Sequence, residues 1–524
     1  MPPSSTPLLR LLQEQLAVAR MYNAEALARN GQGKMIDVPG IGKNIANAYE
    51  QLRRAAESVE EQLLLQRAIR RFYNRSVMFS SNKKPSGVGT ELIIDMTHAR
   101  YLANETVSED TARAITRLVG QYAGTYQELG HLRVPRDDRL RWVLDILSVE
   151  TEVMLNPRYE RSALAYVALQ HYLELFPREK LVSTPEEESQ YEFCLYIAVH
   201  QALLKSDIAT VRHDLMRVYR QSPEDLSGFA ELNRSVDEAF SSHLTQKLRQ
   251  VLGRYGAPFR VVRALTENRA DMPELLSNRE VFLDAYNHQI GREYDSLSKR
   301  LSRGIQRSIL FIFITKIWVG LAVEIPYDLL VLGHVALLPL AVNLLFPPLY
   351  MASFKLGLRI PSPANATAMR HYIDQAFYTG GDLTGQFVRI GNRSISPFAR
   401  VIYTLMFILP LSLMIYTLSV LHFAAVQGVI FFVFLSTASF LGFRLSRMPR
   451  DLELVPRQTK FFGAVRDFFY LPFIVMGQWI SSRYARLNIV ARILDILVEM
   501  PLKTGLRRVR QWARFLNEKH DEIY

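Results

Sequence analysis

At 524 residues, with 49% apolar and 22% charged residues and a mean hydropathy of +0.01, the chain is too apolar for an ordinary soluble protein and too polar for one built of membrane spans alone. Its formal charge of +12 is uneven: about +2 over 1–307, −1 over 308–353, +4 over 354–400, zero over 401–443 and +7 over 444–524. Basic charge beside apolar blocks is the pattern of cytoplasmic flanks meeting anionic lipid, whereas a nucleic-acid binder concentrates it in the globular part. One cysteine, Cys194, excludes an intrachain disulfide and suits a reducing compartment.

The N-terminus, MPPSSTPLLRLLQEQLAVARMYN, lacks a basic stretch leading into an apolar one, so an amphipathic helix is expected there rather than a signal peptide. Residues 34–52, KMIDVPGIGKNIANAYEQL, match the spacing of a helix-hairpin-helix element. By that resemblance Gly40, Gly42 and Lys43 would contact a phosphate, the glycines letting the backbone approach it. Gly31 and Gly33 interrupt the preceding arm, and the helix after it is mixed in charge, so a glycine turn opening a long helix is the favoured reading.

An N-terminal helical unit is expected over 1–78 and a cytoplasmic helical bundle over 90–307, separated by the turn-rich segment around 79–89. Apolar spacing near 3.6 in 140–155, 162–176 and 190–204 predicts helices. Ser108-Glu109-Asp110, Thr184-Pro185-Glu186 and Ser222-Pro223-Glu224 read as helix starts, and 89–95 as the opening of another. The fold class is all-α. His171, His200 and His213 are expected at the core edge or surface, and Glu150 and Glu152 on solvated faces.

From 308 the pattern changes. A span needs about 20 apolar residues, and the transmembrane region 308–443 offers four: about 308–331, 333–354, 401–421 and 424–443, with a cytoplasmic loop 355–400 between two hairpins. Pro339, Pro347, Pro348 and Pro410 are expected to kink them. Lys316, Glu324, Asp328, His334 and Asn343 are the membrane-embedded polar candidates, and such groups often mark ion or proton paths. Lys316 and Glu324 lie about 12 Å apart along an α-helix, too far to pair directly, so partners from neighbouring helices are expected.

The last part, 444–524, reads as a basic amphipathic tail lying in the membrane interface. Arg303, Arg307, Arg444, Arg447, Arg507, Arg508 and Arg510 are the expected lipid-headgroup contacts. Basic flanks on one side place both termini in the cytoplasm of a multi-pass plasma (inner) membrane protein, and make the glycosylation sequons at Asn365 and Asn392 chance matches. Together, 322–333, 344–350 and 512–524 resemble polytopic bacterial membrane proteins with a large helical cytoplasmic domain, a family that implies this topology and no activity.

No zinc-protease, P-loop, nucleophile-elbow or paired-cysteine motif occurs, and no catalytic residue, metal or cofactor is expected. The expected role is a non-enzymatic membrane anchor or scaffold. Its partners would be anionic lipid headgroups and a protein partner or further copies of the chain. An oligomeric channel or transporter using the intramembrane charges is the first alternative. A membrane tether for DNA, the nucleic-acid reading, is the second.

Overall fold

The computed structural model describes residues 6–31, 33–38, 63–76, 87–269, 271–357, 360–381, 383, 397–455 and 470–481. All regular structure among them is helical, apart from one isolated bridge between Met35 and Ser108. Gly40, Gly42, Lys43, Asn392, Arg507, Arg508 and Arg510 lie outside the described residues.

Helix α1 (Pro7–Asn30) starts at a Thr6 cap with proline in its first turn. Then come α2 (Leu64–Ser76), α3 (Val88–His98), α4 (Glu109–Glu128) and α5 (Arg136–Leu155). Next are α6 (Glu160–Leu175), α7 (Tyr191–Val199), α8 (Ile208–Val218) and α9 (Leu226–Ser241). The helical domain continues with α10 (His243–Tyr255), α11 (Ala257–Asn268) and the first half of α12 (Arg279–Val319). Ser108 and Thr184 cap their helices as their sequences suggest. At 222–225 the cap is Asp225, which accepts from the amide of Gly228, and Ser222 instead closes a local turn onto Glu224.

Two apolar cores result. One gathers α2, α3, α4 and α5 around Ile69, Leu92, Ile115 and Trp142. The other gathers α1, α6, α7, α10, α11 and the start of α12 around Leu12, Tyr172, Ile197 and Phe282. The helices of 1–78 thus divide between the two, α1 packing on α6 and α2 on α5.

Three described helices are long and apolar enough to cross a bilayer, where four spans were expected: the 53-residue rod Arg279–Val331, Leu337–Lys355 and Ala425–Leu452. They contain α12, α13 (Leu337–Gly357) and α16 (Ala425–Arg447). In α15 (Pro397–Val420) the apolar stretch among the described residues includes Thr404–Val420. Both α13 and α15 continue as helices through Pro347, Pro348 and Pro410.

The expected loop 355–400 contains α14 (Pro363–Asp374), continued by a π turn Gln375–Thr379. It buries Met369, Tyr372, Ile373 and Phe377 in the core shared by α1, α6 and α11. The beginning of the expected interfacial tail also packs on the domain, with Leu454 in that core. A further helix, α17 (470–481), packs against the apolar helices, and the rest of the expected tail, 456–469 and 482–524, lies outside the described residues. Its Phe473 meets Phe432, and Gly477 sits so close to Ser436 that a Cβ there would lie 2.2 Å from the Ser436 carbonyl oxygen. Only a small residue permits that approach.

Candidate functional site

The polar residues of the apolar region gather into two groups along one rod. Pro326 lacks an N–H, and its ring crowds the carbonyl one turn earlier, so an ordinary α-helix cannot run past it undisturbed. The rod responds by widening into π turns on either side, Gly320–Glu324 and Asp328–Leu332. A π turn advances less and rotates less per residue, which returns Glu324 to the face of Lys316. The glutamate leans back along the helix and the four-carbon lysine stem spans the rest.

Lys316 Nζ therefore donates to Glu324 Oε1 at 2.5 Å, with both residues at most 1% exposed. This corrects the expectation that the two could not pair; the straight-helix estimate omitted the π turn. The same ammonium lies 4.7 Å from the ring centre of Phe434 on α16. Asp328 is also fully buried, and both its oxygens accept from Gln427 Nε2, at 2.8 and 2.9 Å. The backbone N–H of Ala336 adds a third bond at 3.2 Å. Asn343 Nδ2 donates to the carbonyl of Gln427 at 3.3 Å. Glu324 Oε2 and Asn343 Oδ1 have no hydrogen-bond partner among the described residues. His334 is exposed in the turn between α12 and α13. One group thus joins Lys316 and Glu324 with Phe434, and the other joins Asp328 and Asn343 with Gln427; Phe434 and Gln427 are the members that sequence reasoning missed. The glutamine just inside an otherwise apolar helix was the available signal.

Four of the expected headgroup arginines also meet. A Cβ on Gly304 would lie 2.7 Å from Leu445 Cδ2, so α12 and α16 cross closely there. Arg303, Arg307, Arg444 and Arg447 are exposed around that crossing, at the end of the apolar helices nearest the domain. Arg447 covers the Phe443 ring at 4.4 Å.

In the helical domain, a cavity of about 640 Å³ opens between α1, α4, α5 and α8, with Arg29, Tyr122, Glu150, His213 and Arg217 in its wall. Glu150 accepts from Tyr122 Oη at 2.8 Å. Glu152 is half-buried rather than solvated, and burial raises its carboxyl to about 7, against the opposing charges of Arg158 and Arg161. All three histidines expected at the core edge or surface are buried. His171 Nε2 meets Tyr372 Oη at 2.7 Å, and burial lowers its pKa to about 3. Asp214 contacts His213 Nδ1 at 3.3 Å and accepts from Ser162 Oγ at 3.1 Å. Burial raises its pKa, but these bonds and nearby His200 outweigh that and hold the carboxyl below its usual range. The hydroxyl of Ser162 thus bonds the carboxylate rather than a histidine nitrogen, so the trio lacks the nucleophile–base contact of a hydrolytic triad. No group of three metal-ligating side chains forms among the described residues.

Compared with protein-family models, with curated proteins and with solved structures, the chain matches none.

Proposed function

We propose that the protein is a multi-pass membrane protein whose two apolar hairpins are clamped to a helical domain on one face of the bilayer, where it serves as an anchor and platform for protein partners. One observation carries this reading: three separate segments return to a single core. The first half of α12, α14 and the stretch 448–455 all pack into or against the core of the helical domain. The stretches between them, 308–357 and 397–447, therefore leave and return, which supports an even number of crossings. With 24 residues, α15 is long enough overall for the fourth, about 36 Å by rise.

The exposed faces fit a lipid setting. Trp318 and Leu330 are 69% and 86% exposed on apolar helices, an apolar surface far larger than a soluble monomer presents. The arginines at the α12–α16 crossing fit the positive-inside rule, which supports placing the domain in the cytoplasm of a plasma (inner) membrane protein.

Topology decides it. Cysteines introduced at His334 and His422 should react with an impermeant thiol reagent from outside, while one at exposed His371 should stay unreactive until the membrane is opened. Cys194 is buried and adds little background. Labelling of position 371 from outside would sink the reading. A channel or transporter is the second reading, favoured by the buried carboxylates Glu324 and Asp328. Absence of ion flux through reconstituted protein would remove it.

A further inference from the structure

The cavity between α1, α4, α5 and α8 holds about 640 Å³, within the range of small-molecule sites. Two of its helices turn one face to it: α5 presents Ile146, Glu150 and Val153, and α8 presents His213, Met216 and Arg217, at helical spacing. Most polar groups in the wall are already used. Asn30 bonds Thr111 and the Met154 carbonyl, Asp110 pairs with Arg113, and Arg29 pairs with Glu25. His213 is taken by Asp214. Two charges of opposite sign are left. Glu150 is half-buried; Tyr122 bonds its Oε2, while Oε1 has no partner among the described residues. Arg217 has no hydrogen bond or ion pair among them, its guanidinium resting 4.6 Å from the ring centre of Tyr159. These two charges do not pair with each other. Apolar side chains, Val153, Met154 and Met216 among them, share the wall.

We infer that this cavity binds a small amphipathic zwitterion, a free α-amino acid or dipeptide with an apolar side chain. The ligand's ammonium donates to Glu150 Oε1, its carboxylate accepts from the Arg217 guanidinium, and its side chain lies on the methionines. A lone anion would meet the unpaired carboxylate and a lone cation the unpaired guanidinium. A ligand carrying both charges leaves neither uncompensated. A nucleotide fits worse, because its phosphates would meet two carboxylates, Glu150 and Asp110. The site lies wholly within the helical domain, so its test does not depend on the bilayer crossings.

Binding to the purified full-length protein in detergent is read by isothermal titration calorimetry. The probes are leucine, leucyl-leucine, N-acetyl-leucine, which has no ammonium, and leucinamide, which has no carboxylate. Leucine or leucyl-leucine should bind saturably, and the tighter of the two tells the sources apart. Each blocked probe should bind at least about tenfold more weakly, the loss of one charge-assisted hydrogen bond. Glu150→Gln should weaken the zwitterion by a similar factor and cancel its advantage over N-acetyl-leucine. Arg217→Gln should cancel the advantage over leucinamide instead. Each variant should still discriminate against the other blocked probe, which shows that its cavity is intact. No saturable binding of either zwitterion by the parent, a blocked probe that binds as well as leucine, or parent-like affinity in either variant overturns the site.

Discussion

At the scale of single residues, the Lys316–Glu324 contact is the most consequential. Removing one partner of a buried ion pair strands the other's charge, at about 3–5 kcal/mol in other proteins, while replacing both is far milder. Lys316→Met should therefore lower the melting temperature of the detergent-solubilised protein markedly, and Lys316→Met with Glu324→Gln should recover most of the loss. A double variant no better than the single would show that the pair is not coupled.

His171 and Glu152 set opposing pH dependences. The folded pKa of His171, about 3, lies below its ordinary value of 6.5, so the unfolded chain binds its proton first and stability falls as pH drops from 6.5 toward 3. The folded pKa of Glu152 is raised, so its contribution is complete below about 4.5 and is lost as pH rises through about 7. Unfolding followed across pH 4–8 should show the neutral-side loss in the parent and not in Glu152→Gln. Neither environment was legible in the sequence. Glu152 sits on a helix whose outward face looks solvated until α8 packs beside it.

At the scale of elements, close crossings are fixed by glycine. A Cβ at Gly89 would lie 2.0 Å from the Ala112 carbonyl oxygen, where α3 meets α4. Overpacking of this kind costs about 1–3 kcal/mol, so Gly89→Ala should destabilise the protein measurably in denaturant titration, unlike Gly124→Ala, where nothing lies within 4 Å.

Asn365 is the second fixing point, 2% exposed. Its Nδ2 donates to Tyr294 Oη and the Leu452 carbonyl, and its Oδ1 accepts from the amides of Leu454 and Val455. The sequon asparagine is thereby used in full. Asn365→Ala would leave those amides unpaired, at about 1–3 kcal/mol for a buried group. Hydrogen exchange at 452–455 should rise while α5 keeps its protection.

At the scale of the whole molecule, the rod Arg279–Val331 joins the domain core to the apolar cluster without a break. Beside it, Lys205 pairs with Asp451 at 2.6 Å, and Arg260 Nη1 donates to the Asp451 carbonyl, bracing the exit of α16 against the helical domain. Domain and hairpins should therefore move as one body. Replacing Arg303, Arg307, Arg444 and Arg447 together by glutamine should reduce co-purified anionic lipid and leave the helical content unchanged. Unaltered lipid content would remove the headgroup role of that crossing.

The sequence by itself determined the helical class, the place where bilayer-length apolar segments begin, and the polar residues among them. These are local properties, carried by apolar period, segment length and residue type. Tertiary structure decided what met what. The 355–400 stretch looked like a loop because α14 is short and polar on one side, and its apolar face becomes legible only against α1 and α11. Lys316 reaches Glu324 because Pro326 forces the helix to widen, a backbone response that residue spacing on an ideal helix does not contain. Both groups close only when α16, almost a hundred residues away in the chain, brings Gln427 to Asp328 and Phe434 to Lys316. Periodicity is written along one helix, while the pairing of buried charges depends on which helices become neighbours.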